Sequence, residues 1–263
     1  MFNCIKRYFS CLSTSKDIRL GVFNIQNLSL KKISDNMIYD NLIKIINNYD
    51  LLFILELVDT DVLDKLNNKL NNKYKNIYSI KTGLTPQSSE HYGLFYNSKK
   101  IKINNQNIIE CDKELFDRKP WYVDIDIINK MNIKCLLNHI SPNNVNNELN
   151  NLNNIFNILY STNPSNYILL GDYNADLPYL SKKDRLENNL YNNRKLMNIT
   201  NDLITNVAKN EKKYDKIFIT PNILNYLDKD NNSYVDEYYK TLKLDNNNIK
   251  KISDHLPIYI NII

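Results

Sequence analysis

The chain has 263 residues, a formal net charge of +5, 43% hydrophobic and 24% charged residues. That hydrophobic fraction supports a sizeable core and excludes a chain disordered throughout. Apolar runs fall well short of the ~20 residues a membrane helix needs, and only four glycines exclude collagen-like and glycine-linker architectures. The basic balance, with a pI near 8.8, favours a polyanionic partner, yet the abundance of Asn, Lys, Ile and Tyr reads equally as A/T-rich coding.

Residues 1–17, opening MFNCIKRYFSCLSTSK, read as a flexible N-terminal tail. The segment is basic but lacks the apolar stretch of a signal peptide. Cys4 and Cys11, beside Lys6 and Arg7, are conceivable lipid acceptors, although a frayed tail is the simpler reading. From residue 18 onward no linker or repeat divides the chain, so 18–263 reads as a single domain. Short apolar, β-branched or aromatic runs at 18–25, 51–55, 92–96, 121–127, 133–137, 167–170, 216–219 and 256–263 have strand length and polar boundaries. Between them lie helical stripes. Ile38, Leu42, Ile45 and Ile46 follow a cap at Ser34 or Asp35. Val62, Leu63, Leu66 and Leu70 form a second stripe, and Val145, Leu149, Leu152, Ile155, Phe156 and Leu159 a third. Strands in the majority with helices interspersed predict an α/β domain of packed sheets covered by helices. The four cysteines show no CxxC and no disulfide framework, and Cys135 within KCLL reads as a buried thiol. An intracellular, cytoplasmic protein is the resulting expectation.

Polar residues interrupt or end these apolar runs in an informative way. Asn24 sits inside GVFNIQ, Glu56 ends LLFILE, and His139 ends CLLNH. Asp172 and Asn174 follow YILLG, Asp215 precedes KIFI, and Asp254 with His255 precedes LPIYI. A charged group at a buried strand end is desolvated unless it is paired or metal-bound. Strand ends at one edge of a sheet converge, so these groups can form one site. Phosphodiester hydrolysis needs such an inventory: oxygen ligands for a hard cation, and imidazoles to take and give protons.

The segments LGVFNIQNL, NNYDLLFILELVD, EHYGLFYNSKK, FDRKPWYVDI, NHISP, ILLGDYNAD, YDKIFI and ISDHLPI resemble, in order and spacing, the endonuclease/exonuclease/phosphatase superfamily and most closely its deoxyribonuclease I branch. The resemblance covers about 18–263. It implies a four-layer α/β/β/α sandwich and a divalent-metal-dependent phosphodiesterase, most simply an endonuclease that cuts DNA non-specifically to 5′-phosphate ends. By the same resemblance, Glu56, Asp254 and Asn24 would hold Mg²⁺, for which Mn²⁺ or Ca²⁺ could stand in. His139 with Glu90, and His255 with Asp215, would form two acid/base couples. Asp172 and Asn174 would serve a second cation or the phosphate oxygens, and Arg118 would contact phosphate. Glu90 and Arg118 point to the deoxyribonuclease branch rather than the abasic-site endonucleases. His91, Trp121 and most tyrosines read as packing residues.

Three positions depart from that pattern: Leu55 stands for the glutamine before the metal glutamate, Val58 for a minor-groove arginine, and Ser88 for a minor-groove tyrosine. The substitutions predict an intact catalytic centre behind an altered DNA-reading surface. They also keep open a same-fold enzyme acting on RNA, a signalling nucleotide or a phosphoinositide. A catalytically silent binding protein is disfavoured by the intact Glu56, His139, Asp172 and His255. A monomer acting on nucleic acid is the resulting expectation.

Overall fold

The computed structural model describes residues 17–200, 202–207, 210–229 and 231–263. Cys4, Cys11 and the tail assigned to 1–17 fall outside them except for Asp17. Among the described residues, two six-stranded sheets pack face to face. The first holds, in spatial order, β11 (Tyr234–Val235), β12 (Ile258–Ile262), β1 (Ile18–Leu28), β2 (Leu51–Leu57), β4 (His91–Tyr96) and β3 (Lys75–Tyr78). The second holds β5 (Ile101–Ile108), β6 (Trp121–Ile127), β7 (Met131–Leu137), β8 (Tyr167–Asp172), β10 (Asp215–Ile219) and β9 (Met197–Asn198).

β2 shows why its sequence is a continuous apolar run. Leu51, Phe53 and Leu55 point into the core between the sheets, while Leu52, Ile54 and Leu57 point outward under helices. A strand buried on both faces needs apolar residues at every position. The outer face of the first sheet is covered by α1 (Asn36–Ile46), α2 (Asp61–Lys69), α5 (Tyr238–Leu242) and α6 (Asn246–Ile252). α1 starts where expected, because the Asp35 carboxylate accepts the N–H groups of Met37 and Ile38 at 2.8 and 3.3 Å. The long α3 (Val145–Thr162) lays Leu149, Leu152 and Phe156 against Leu136, Leu169 and Phe218 of the second sheet. A short α4 (Lys182–Glu187) follows β8. Full burial of each such side chain contributes roughly 1.5–3 kcal/mol. The two sheets and their helix layers match the four-layer sandwich expected from the sequence.

Strand direction gathers the functional positions. β1 and β2 run parallel, and β4 and β12 run against them. In the second sheet β7 and β8 run parallel, with β6 and β10 antiparallel to them. The C-terminal ends of β2, β7 and β8 therefore lie at the same rim as the starts of β4, β6, β10 and β12. Asp172 at the end of β8 is in register with Asp215 at the start of β10.

The edge strands β3 and β5 were not legible in the sequence. β5 reads IKINNQNI and is exposed over most of its length. An edge strand need not carry an apolar run, and polar residues there discourage pairing with another chain.

Candidate active site

Glu56 occupies a bend. Its φ is +58°, a left-handed conformation unusual outside glycine, and the register between β2 and β4 shifts at this point. A matching bulge in β1 places Gln26 and Asn27 at φ +41° and +57°. The two irregularities turn polar groups toward the rim. Glu56 accepts the Asn27 N–H and the Asn24 side-chain NH₂, both at 2.9 Å. The same Asn24 amide donates to Asp172 at 3.1 Å, and its oxygen accepts the Gln26 N–H at 3.0 Å. Asn24 thus joins Glu56 of one sheet to Asp172 of the other, and the hydrogen bond from Gln26 occupies its oxygen. Leu55, at the position expected to remove a polar neighbour, lies fully in the core between the sheets.

Lys32 is the residue the sequence reading missed here. Its ammonium donates to the carbonyls of Ile25 and Gln26 at 2.7 and 2.5 Å, pinning the β1 bulge. Burial pushes its pKa down to about 8, against the pull of Glu56 and Asp254. Asp254 is exposed, on the Lys32 side of the site.

Both histidine–carboxylate couples are present. His139 Nδ1 lies 3.0 and 3.2 Å from the Glu90 oxygens, and His255 Nδ1 lies 2.8 Å from Asp215. The opposite nitrogens converge: His255 Nε2 is 3.3 Å and His139 Nε2 3.7 Å from the same oxygen of Asp172. Burial disfavours charge on His139, but Glu90 and Asp172 outweigh it and hold its pKa above 6.5. The same contest, with Asp215 and Asp172 as the opposing charges, raises His255 well above that value. Burial would raise the Asp172 pKa, but the two histidines and the Asn174 N–H hold it below the usual carboxylate range.

Supporting contacts fix each group. The His139 N–H donates to the Tyr92 hydroxyl at 3.3 Å, and Tyr92 stacks on the buried Trp121. The Ser253 hydroxyl donates to the Asn24 carbonyl at 2.6 Å and accepts the His255 N–H at 3.0 Å. Gly171 lets β8 pass β7, since a Cβ there would sit 1.9 Å from the Asn138 carbonyl oxygen. Asn174, at φ +47°, donates its N–H to Asp172 and its side-chain NH₂ to the Ile140 carbonyl. Glu148, which the sequence reading did not single out, accepts the N–H groups of Asp117 and Ser141, both at 3.0 Å. It thereby clamps the loop of Arg118 to the loop of His139.

Arg118 is buried with its Nε 2.9 Å from Glu90, yet neither Nε nor Nη1 is aligned for a hydrogen bond. Its Nη1 lies 3.8 Å from Asp117, so the guanidinium is ion-paired with both carboxylates. Ser88 is turned inward, its hydroxyl donating to Asp117 at 2.7 Å, whereas Val58 is exposed. His91 packs as expected, with Nδ1 2.8 Å from the Ser79 carbonyl and its ring edge-on to Tyr78. Cys111 and Cys135 carry free thiols, and Cys135 is buried as expected. No helix among the described residues is long and apolar enough to cross a membrane.

Five carboxylates crowd this rim: Glu56, Glu90, Asp172, Asp215 and Asp254. Oxygen donors with excess negative charge suit a hard divalent cation. Glu56 and Asp254 both lie near the Lys32 ammonium. Asp172, Asp215 and His255 also bring three ligand atoms within 4.8 Å of one another.

No protein-family model matches the chain. Solved structures that share its fold include zebrafish TDP2 complexed with single-strand DNA product (TM-score 0.67, 13% identity, 95% of this chain and 100% of that one) and an endonuclease/exonuclease/phosphatase from Bacteroides vulgatus (0.62, 15%, 95% and 99%). In sequence the chain is 27% identical to mouse deoxyribonuclease-1-like 1 over 256 residues (92% of this chain, 79% of the relative) and 22% identical to chicken deoxyribonuclease-1 over 269 residues (95% and 93%). Its match to human deoxyribonuclease-1-like 1, 26% identical, spans 64% of this chain and 60% of that protein's length. The chain thus shares the four-layer α/β/β/α fold of these structures. In sequence it is similar to deoxyribonuclease I-like proteins.

Proposed function

We propose that the chain hydrolyses phosphodiesters of a nucleic acid, most simply DNA, to 5′-phosphate ends. The observation that carries this reading is the convergence of His139 Nε2 and His255 Nε2 on one oxygen of Asp172, each imidazole backed by its own carboxylate. A phosphate bridging this gap meets one imidazole on each side, as in-line displacement requires. His255, oriented by Asp215 and neutral once the pH exceeds its raised pKa, takes a proton from the attacking water. His139, oriented by Glu90, returns a proton to the departing 3′ oxygen. Each such transfer contributes roughly 10²–10⁴ in rate. The Arg118 guanidinium, ion-paired to Glu90 beside His139, would supply positive charge to a non-bridging oxygen. Glu56 and Asp254 would hold the divalent cation, Mg²⁺ by the oxygen character of the donors. When bound, it would neutralise charge on the phosphate. Asn24 keeps Glu56 and Asp172 in register, and Asn174 braces Asp172.

The relatives' names support DNA as the substrate, and so does the TDP2 structure carrying a single-strand DNA product. The test is one Mg²⁺-supplemented panel of supercoiled plasmid, single-stranded DNA, RNA and a chromogenic phosphodiester, run on wild type and Glu56→Ala. Hydrolysis by wild type that Glu56→Ala loses supports the reading. Equal rates for the two proteins, or no hydrolysis by wild type, would refute it. Activity on the chromogenic diester alone would move the substrate to a small nucleotide or phosphoinositide.

A further inference from the structure

Beside His255 the surface carries rings that the hydrolytic chemistry does not use. Tyr214 immediately precedes Asp215, and its ring centroid lies 6.1 Å from the His255 imidazole at 39°. Tyr179 stands 5.6 Å beyond it at 43° and is 43% exposed. The neighbouring Leu177 is 53% exposed. Three rings therefore lead from solvent to the proton-transferring nitrogen.

The backbone that carries the outer rings is tied down. The Tyr173 N–H donates to the Tyr214 carbonyl at 3.1 Å, and the Tyr179 N–H donates to the Asp176 carbonyl at 2.9 Å. Asp176 also accepts the Lys213 N–H at 3.0 Å, tying the two segments together. Leu180, directly after Tyr179, is anchored in the core under α3. Exposed Lys182 and Lys183 follow at the start of α4. An exposed aromatic face on rigid backbone, with cations alongside, has the chemistry of a base-stacking platform on a polyanion path.

The geometry points to Tyr179 as the seat of an unpaired nucleobase adjacent to the phosphate that is cut. The inference rests on the phosphodiesterase reading above and narrows its substrate to a strand whose bases are open at the site. In a duplex both faces of a base are already covered by its neighbours, so a ring reaches them only when the base is splayed out. The groove side is poorly equipped for duplex reading, with Val58 in place of a cation and Ser88 turned inward onto Asp117. Deoxyribose and ribose strands offer the same base face.

The experiment uses short single strands, deoxy and ribo, with one cleavable phosphodiester and methylphosphonates elsewhere. 2-Aminopurine is the base next to the cleavable bond. In EDTA, where no cleavage occurs, wild type and Tyr179→Phe quench its fluorescence and Tyr179→Leu does not. In Mg²⁺, Tyr179→Leu raises KM for the single strand about tenfold at unchanged kcat, the effect of losing one stacked base. A strand with an abasic site at that position is cut equally by wild type and Tyr179→Leu. Persistent quenching by Tyr179→Leu, or an unchanged KM, overturns the inference. Failure of wild type to cleave any strand instead overturns the phosphodiesterase reading, and the quenching arm still decides whether the base seat exists.

Discussion

Asp215→Asn tests the roles within the cluster of His255, Asp215 and Asp172. The carboxamide has nearly the shape of the carboxylate, and the backbone N–H of residue 215 keeps its bond to the Thr205 hydroxyl. What changes is the partner 2.8 Å from His255 Nδ1. An amide that turns its NH₂ to Nδ1 holds that nitrogen unprotonated, so Nε2 carries the hydrogen and cannot accept one from water. A wrong tautomer of this kind costs about 10⁴ in turnover in a histidine–aspartate pair, or about 5 kcal/mol of barrier. The assay is the initial rate of plasmid nicking across a Mg²⁺ titration. As an orienting group, Asp215 gives a loss that saturating Mg²⁺ does not repair. The same three residues are close enough to ligate a cation, and for a ligand carboxylate raised Mg²⁺ restores the rate. Nicking within threefold of wild type, or recovery with added metal, would refute the assignment.

Three further outcomes follow from the geometry. EDTA should abolish hydrolysis and Mg²⁺ or Mn²⁺ restore it, while Glu56→Ala should require far more metal for half-maximal nicking; an EDTA-resistant rate would argue against a metal-dependent enzyme. Burial pushes the Glu148 carboxyl up to about 7 from 4.5, so the folded state holds this proton more tightly than the unfolded chain. Its contribution to stability is therefore greatest below pH 4.5 and falls as pH rises to about 7, by about 3 kcal/mol at ~1.4 kcal/mol per unit. Urea denaturation in EDTA at pH 5 and 8 should show a steeper loss for wild type than for Glu148→Gln, and parallel curves would contradict it. Gly171→Ala should destabilise well beyond the ~1 kcal/mol of an average substitution, because its Cβ meets the Asn138 carbonyl at 1.9 Å on a backbone with φ +145°; an unchanged urea midpoint would count against that packing.

The core strands were legible because burial on both faces imposes unbroken apolar runs, as in Leu51–Leu57. The histidines and carboxylates that converge at the rim were legible for a related reason: Asp172, Asp215 and His139 are polar groups where such runs stop. Residues whose roles depend on distant backbone were not. Lys32 lies in a KK pair that reads as solvated surface, yet its ammonium grips two carbonyls of the β1 bulge. Glu148 looks like any acid in a first helical turn until two loops are seen to converge on it. Tyr179 was one tyrosine among nineteen, and only its separation from Tyr214 and His255 distinguishes it.

Neither sheet supplies both members of a histidine–carboxylate pair. Glu90 and His255 lie just before β4 and β12 of the first sheet, and their partners His139 and Asp215 lie just after β7 and at the start of β10 of the second. Sliding one sheet over the other by an ångström or two would part both couples at once while every ladder within each sheet stayed closed. Turnover is thus a gauge of interlayer docking, and on warming it should fade before the circular dichroism of the strands does.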